Sequence, residues 1–87
     1  MTLEKYARLL DRIIMYEAGW VTAQKDFIKV FVKKPVYRET ARNVYEWCGS
    51  GGQYPVLTVR YREGDLDLEE YRDRSGKIDW SACRVQI

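Results

Sequence analysis

The sequence has no histidine among its 87 residues. Histidine is the usual general base near neutral pH, and serine and cysteine nucleophiles commonly depend on one. Its absence argues against most acid–base and covalent catalysis. We therefore expect a chain that is not an enzyme and that works without a cofactor.

Cysteine is also scarce, since Cys48 and Cys83 are the two in the chain and no C-x-x-C pair occurs. A secreted domain of this size usually carries more cysteines. Two cysteines without a histidine do not fill a tetrahedral zinc site, so we expect no bound metal. The pattern predicts two buried free thiols in a cytoplasmic protein, with a single Cys48–Cys83 disulfide as the alternative.

Long apolar runs are missing as well. No run approaches the roughly 20 apolar residues that span a bilayer, and the first residues lack the apolar region of a signal peptide. A membrane partner is therefore not expected. An apolar fraction of 46% and an aromatic fraction of 14% are typical of a folded chain, and the length predicts one small α+β domain over residues 1–87.

Two segments of the chain predict helices. Residues 2–18 carry apolar residues at helical spacing and begin at Thr2, a suitable N-cap. A second helix is predicted over residues 35–48, because Pro35 suits a first helical turn and apolar residues recur after it. Residues 25–33 are rich in β-branched and aromatic residues, which favours a strand, although a helix would align the same lysines.

The last third of the chain predicts a three-stranded antiparallel meander with turns at Glu63-Gly64 and Ser75-Gly76. The second turn would place Arg72 opposite Asp79. Both turns put the same apolar residues on one face: Leu57, Val59, Tyr61, Leu66, Leu68, Cys83, Val85 and Ile87. The expected architecture is α+β in the order α-β-α-β-β-β, with two helices packed on one face of the antiparallel sheet.

An acidic row occupies alternate positions around the first predicted turn: Glu63, Asp65, Asp67 and Glu69. Carboxylates at this spacing project from one face of a strand. Arg60 and Arg62 lie opposite in the predicted ladder, so a paired, solvated sheet face is one interpretation. A docking surface for a protein partner is the second, and a Mg²⁺ or acid–base site is the third.

Three apolar side chains point away from the predicted core face: Tyr71, Ile78 and Trp80. If the helices cover only the core face, these residues form an exposed patch ringed by charge, which resembles the anchor of a protein interface. The alternative is that the first helix, or the strand over residues 25–33, covers them. Together with the acidic row, this patch is our candidate protein-binding site.

Basic and aromatic residues alternate over residues 25–33 and continue beyond them. The cationic residues that we assign to a candidate nucleic-acid surface are Lys25, Lys29, Lys33, Lys34 and Arg38. Phe27 and Phe31 would stack bases between the lysines. Two observations favour a structural role instead: the phenyl rings would also pack well in a hydrophobic core, and lysines commonly protect exposed edge strands. The net charge of only +2 is also low for a nucleic-acid-binding protein.

These patterns favour a non-catalytic protein–protein interaction domain: an inhibitor, adaptor or regulatory subunit of a larger complex. Small free-standing proteins of this kind are commonly encoded by phages and mobile elements, so a blocker of a host defence machine is one expected form. A second copy of the chain is another candidate partner, because an exposed edge strand also supports a homodimer. The alternative function is a small nucleic-acid-binding module that uses the Lys/Phe stripe of residues 25–34.

Overall fold

The computed structural model describes residues 1–13, 19–62 and 64–87, in which one helix packs on a mostly β fold. The elements are helix α1 (Leu3–Ile13), strands β1 (Trp20–Gln24), β2 (Phe27–Phe31), β3 (Val36–Ala41), β4 (Val44–Cys48), β5 (Leu57–Arg60) and β6 (Arg84–Gln86), and 3-10 turns at Ser50–Gly52, Glu69–Tyr71 and Trp80–Ala82. Strands β5, β2, β1 and β6 form the antiparallel main sheet in that order, and β3 pairs with β4 as a separate hairpin. No helix in the described ranges is long and apolar enough to cross a membrane.

Helix α1 forms where the N-terminal pattern predicts it. Three apolar residues are buried on its inner face: Leu3, Ala7 and Leu10. The Thr2 hydroxyl accepts the N–H of Lys5 at 3.2 Å, which satisfies one of the free donors at the helix start. The helix predicted over residues 2–18 is confirmed up to Ile13, and residues 14–18 lie outside the described part of the chain.

The hairpin of β1 and β2 supplies the centre of the core. The two strands join through a tight turn in which Asp26 takes a positive φ of 71°. Alternate residues of both strands face α1 and are fully buried: Val21, Ala23, Ile28 and Val30. Leu66 and Cys83 complete this cluster from the C-terminal part of the chain. The strand predicted within residues 25–33 is thereby confirmed as β2.

The second predicted helix, over residues 35–48, is wrong, because these residues form the β3–β4 hairpin. The segment is rich in β-branched and aromatic residues, which lose more side-chain freedom in a helix than in a strand. Asn43, at a φ of 59°, supplies the left-handed conformation that a tight turn requires. Tyr37 faces Trp47 across the hairpin, so strand alternation rather than helical spacing sorts these side chains.

The predicted C-terminal meander, and with it the order α-β-α-β-β-β, is also wrong. Strand β5 pairs with β2 and strand β6 pairs with β1, so the last two strands extend the main sheet at opposite edges. Between them, residues 64–83 follow an irregular path. The turn predicted at Ser75-Gly76 does form. The bridge across it pairs Arg72 with Ile78, however, and not with the predicted partner Asp79. Pairing with the central strands packs Leu57 and Val85 against the core cluster under α1, and burial of apolar surface favours this arrangement.

The β3–β4 hairpin lies against the face of the main sheet opposite α1, and Trp47 anchors it there. Trp47 is 1% exposed, and its backbone N–H donates to the side-chain oxygen of Gln24 at 3.1 Å. The ammonium group of Lys29 donates to the carbonyl of Trp47 at 3.1 Å. The guanidinium of Arg84 lies 5.5 Å from the Trp20 ring centroid and 5.7 Å from that of Trp47, so a cation fills the space between the two indoles.

Candidate protein-binding cleft

A cleft of about 510 Å³ opens beside the irregular C-terminal segment. Its apolar lining comes from Tyr61, Leu66, Leu68, Ile78 and Trp80. Its charged lining comes from Lys25, Asp26, Asp67, Glu69 and Arg72. The fold therefore brings the turn between β1 and β2 next to a segment that follows it by some 40 residues in the sequence.

Backbone hydrogen bonds hold the C-terminal wall of this cleft in place. The N–H of Asp67 donates to the carbonyl of Met1 at 2.7 Å, next to a bridge between Asp67 and Thr2. Farther along, the N–H of Asp79 donates to the carbonyl of Tyr71 at 2.8 Å. These contacts tie the wall to the start of α1 and to itself, so residues without regular secondary structure still form a defined surface.

The apolar floor of the cleft is only partly shielded from solvent. Leu66 is buried, whereas Leu68, Ile78 and Trp80 are half-buried and pack against the core cluster. The Trp80 carbonyl accepts the indole N–H of Trp47 at 3.2 Å, which fixes the backbone behind this floor. The half-buried side chains are thus supported from the core side and present apolar atoms to the cleft.

The rim of the cleft carries charges of both signs. Arg72 donates from Nε to the Glu69 carboxylate at 2.8 Å and from Nη1 to the carbonyl of Gly76 at 2.6 Å. The carboxylate of Asp67 accepts the N–H of Glu69 at 3.1 Å. Exposed ion pairs of this kind contribute little to folding stability. The rim charges therefore do little to hold the fold together and remain accessible at the mouth of the cleft.

Tyr61 lines the cleft as a neutral phenol. Its hydroxyl donates to the carbonyl of Gln24 at 2.8 Å. Burial raises the pKa of Tyr61 to about 12, with smaller contributions from the nearby Cys83 and Asp26. The hydroxyl therefore stays protonated near neutral pH and serves as a hydrogen-bond donor that joins β1 to the cleft.

The residues predicted from the sequence for protein binding are only partly gathered here. Four of them line the cleft: Asp67, Glu69, Ile78 and Trp80. Asp65 lines a second, neighbouring cleft beside Arg62. Tyr71 packs against the core, where burial raises its pKa to about 12. Glu63 lies outside the described residues.

The acidic residues do not form a row on a sheet face, because residues 64–70 form no strand. The Asp65 carboxylate instead accepts the N–H of Arg62 at 2.9 Å, within a turn that the N–H of Asp65 closes on the carbonyl of Arg62 at 3.0 Å. The carboxylate of Asp67 binds the local backbone as well. Aspartates that cap local N–H groups stabilise turns and compete with strand pairing.

The exposed patch predicted for Tyr71, Ile78 and Trp80 is replaced by a half-buried one. Two charged residues of the rim, Lys25 and Asp26, had no predicted role in protein binding. The turn that holds Lys25 and Asp26 reaches this cleft only through the tertiary fold. No sequence pattern places it there.

The residues predicted for nucleic-acid binding are spread over different parts of the surface. Lys25 lines the cleft, and Lys29 donates its ammonium group to the β3–β4 hairpin. Lys33 and Lys34 follow the opposite end of β2, where Lys34 lies over an indole ring. Arg38 is exposed on β3. These cations therefore do not share one continuous stripe.

Both cysteines are free thiols, as predicted, and no disulfide joins them. Cys83 is fully buried in the core cluster, and burial raises its pKa to about 12, with smaller contributions from Asp79 and Glu70. Cys48, at the end of β4, is half-buried rather than buried. Neither cysteine lines the cleft.

Within the described ranges, no group of three or more histidine, cysteine, aspartate or glutamate residues is placed to hold a metal ion. No family model, no curated protein and no solved structure matches this chain. The assignment of a function therefore depends on the geometry and chemistry of the cleft itself.

Proposed function

We propose that this chain is a non-catalytic protein–protein interaction domain that binds a segment of another protein in the cleft. The observation that carries the proposal is an apolar floor of half-buried Leu68, Ile78 and Trp80 inside a charged rim. Protein interfaces commonly have an apolar, aromatic centre and a polar periphery. The role would be that of an inhibitor, adaptor or regulatory subunit of a larger complex.

The size of the cleft fits side chains rather than a whole folded surface. A volume of about 510 Å³ lies within the roughly 300–1,000 Å³ typical of pockets for compact ligands. An apolar side chain of the partner would complete the burial of Ile78 and Trp80. Glu69 is already paired with Arg72, whereas Asp26 and Asp67 remain to attract a basic residue that flanks this anchor.

A cytoplasmic location is part of the same proposal, and two free thiols support it because reducing compartments keep cysteines unpaired. A phage- or mobile-element-encoded blocker of a host defence complex is one role that such a domain would fill. The partner would then be a subunit of that complex.

The test is the selection of a random 12-residue peptide library on the intact protein, because a random library samples many combinations of anchor and flanking charge. We expect enriched peptides with an apolar anchor next to a basic residue, binding with micromolar affinity by fluorescence anisotropy. Ile78→Asp should abolish this binding, since a carboxylate in the floor opposes an apolar anchor. Asp67→Lys should weaken this binding, because it replaces a rim carboxylate with a cation that repels the basic residue of the peptide.

The matched control is Val44→Asp, which makes the same kind of change at a side chain that is 47% exposed on the hairpin. This variant should bind the selected peptides like the wild type. Peptides that bind all three variants equally would place the interaction elsewhere and reject the cleft. Turnover of any substrate that disappears in Asp67→Asn would reject the non-catalytic role as a whole.

A further inference from the structure

Tyr54 is the most exposed large apolar side chain of the described residues, with 87% of its surface accessible to solvent. The backbone on either side of it is nevertheless well anchored. The Gln53 side chain accepts the N–H of Lys33 at 3.2 Å and donates to its carbonyl at 3.1 Å. The N–H of Val56 donates to the carbonyl of Val30 at 2.8 Å. A tyrosine ring is therefore held in solvent by a loop pinned to the end of β2.

The segments that meet at this loop carry no negative charge. Residues 27–38 and 47–62 contain no aspartate or glutamate. Their basic residues are Lys29, Lys33, Lys34, Arg38, Arg60 and Arg62. Strands β2 and β5 join the two segments side by side in the main sheet. The two segments themselves therefore contribute only positive charge, which favours an anionic ligand beside them.

Strands β2 and β5 also carry accessible residues on the face away from α1, on the side of the docked β3–β4 hairpin. Ile28 and Val30 face α1, so the alternate residues of β2 face the other way. In the observed register Phe27 lies beside Arg60, whose guanidinium is 5.8 Å from the phenyl centroid. Thr58 and Arg60 are exposed, and Phe27 is half-buried.

We call Lys33, Tyr54, Thr58, Phe27 and Arg60 the Tyr54 surface. From Tyr54 to Arg60 the chain advances six residues, of which Leu57–Arg60 form β5, so the two side chains are separated by roughly 20 Å of chain at most. This length suits a ligand of up to about four nucleotides. Asp26 and Asp65 line the second cleft together with Arg60. These carboxylates lower the net positive charge at the Arg60 end of the surface.

We propose that the Tyr54 surface binds single-stranded nucleic acid, with the Tyr54 ring stacked on a base and with Lys33 and Arg60 on phosphates. An exposed aromatic ring in a basic part of the chain is a feature that proteins use to bind single strands without sequence preference. Apart from Lys33, these residues differ from the five cations predicted from the sequence, and Phe31 is buried and unable to stack. The site is separate from the protein-binding cleft and does not depend on it.

The experiment is fluorescence anisotropy of the full chain with fluorescein-labelled (dT)12. Binding at 50 mM NaCl should weaken about sevenfold at 200 mM, which corresponds to two phosphate contacts on a single strand. Tyr54→Ala should weaken binding about fivefold or more, and Tyr54→Phe should stay within about twofold of the wild type, because stacking needs the ring and not the hydroxyl. Thermal unfolding of each variant checks that it folds.

Two matched controls distinguish binding at the Tyr54 surface from the loss of any exposed tyrosine or of any positive charge. Tyr45→Ala removes the other strongly exposed tyrosine of the described ranges, at 49% exposure on the hairpin, and should leave binding unchanged. Lys33→Glu should weaken binding several-fold, while Lys77→Glu, an identical change of net charge in the acidic C-terminal segment, should not. No binding at 50 mM NaCl, full binding by Tyr54→Ala, or equal losses in the two lysine variants would overturn the proposal.

A labelled dodecamer of glutamate tests for an acidic protein as the occupant of the same surface. We expect it to bind more weakly than (dT)12, because it offers charge without bases to stack. Binding as tight as that of (dT)12, and indifferent to Tyr54→Ala, would reject the nucleic-acid assignment in favour of an acidic peptide segment.

Discussion

The indole N–H of Trp47 donates to the carbonyl of Ala23 at 3.0 Å and joins the β3–β4 hairpin to the central strand of the main sheet. The same N–H lies 3.2 Å from the carbonyl of Trp80, in the wall of the candidate cleft. A buried donor shared in this way couples the hairpin, the sheet and the cleft through one side chain. The first prediction follows from this contact.

Trp47→Phe should lower the free energy of unfolding by about 1–3 kcal/mol, because the carbonyl of Ala23 loses the indole donor and the smaller ring fills the buried site less well. The carbonyl of Trp80 also loses the indole N–H but keeps the N–H of Cys83 as a donor. Urea denaturation followed by circular dichroism measures the change. Tyr45→Phe, which removes one polar group from an exposed tyrosine of the same hairpin, should stay within about 0.5 kcal/mol of the wild type. Equal stabilities for Trp47→Phe and the wild type would show that the indole hydrogen bonds do not hold the hairpin.

The stability of the fold should decline in alkaline solution because of Cys83. Its pKa rises from an ordinary value of 9.0 to about 12 in the folded state. Above pH 9 the unfolded chain therefore releases this proton first, and the free energy of unfolding falls until the pH reaches about 12. The slope should approach ~1.4 kcal/mol per pH unit for this group.

Cys83→Ala isolates the contribution of the thiol. This variant should lose stability at neutral pH through a small cavity, yet its stability should fall less between pH 9 and 10 than that of the wild type. Tyr61 and Tyr71 add their own decline at higher pH, since burial raises the pKa of each from 10.0 to about 12. Parallel pH profiles for wild type and Cys83→Ala would refute the assignment to Cys83.

The two thiols should differ in their reaction with a disulfide reagent such as dithionitrobenzoate at pH 8. Cys48 is half-buried and should react in the native state, whereas the fully buried Cys83 should react only as the protein unfolds. Cys48→Ser should therefore abolish the fast phase, and Cys83→Ala should leave it intact. Rapid labelling of Cys83 in Cys48→Ser under native conditions would contradict its burial.

Gly49→Ala should destabilise the protein although Gly49 has an ordinary φ of −70°. A Cβ at this position would stand 2.1 Å from the carbonyl oxygen of Gln53, so the loop that carries Tyr54 must shift. We expect a loss of about 1–3 kcal/mol, typical of an overpacked site. Ser50→Ala in the same loop, measured in the same denaturant series, should cost less than about 0.5 kcal/mol; equal costs would show that the loop accommodates the Cβ.

The identity of many core residues could be predicted from the sequence even where the topology could not. Leu66 and Cys83, placed on a core face by the wrong meander, are buried. Leu57, Leu68 and Val85 pack against the same cluster. Ile87, assigned to that face as well, is 37% exposed. Apolar residues are buried in whichever arrangement the chain adopts, so the prediction of a core is less sensitive to pairing than the prediction of a sheet.

The two wrong predictions, the helix over residues 35–48 and the C-terminal meander, have a common physical cause. Local spacing over residues 35–48 satisfies a helix and a hairpin almost equally, and docking of Trp47 on the main sheet selects the hairpin. The turns around residue 64 and at Ser75-Gly76 are genuine local signals. Their flanking residues do not pair as strands, because β1 and β2 offer buried partners to β5 and β6.

Local patterns in the sequence were sufficient to predict the amphipathic helix α1, the strand within residues 25–33, the free thiols and most of the residues that form the core. Each of these depends on periodicity or on composition. Three features arise only in the folded chain: the pairing of β5 and β6, the cleft between the β1–β2 turn and the C-terminal segment, and the exposure of Tyr54. They depend on contacts between residues far apart in the chain, whose relative free energies no local pattern records.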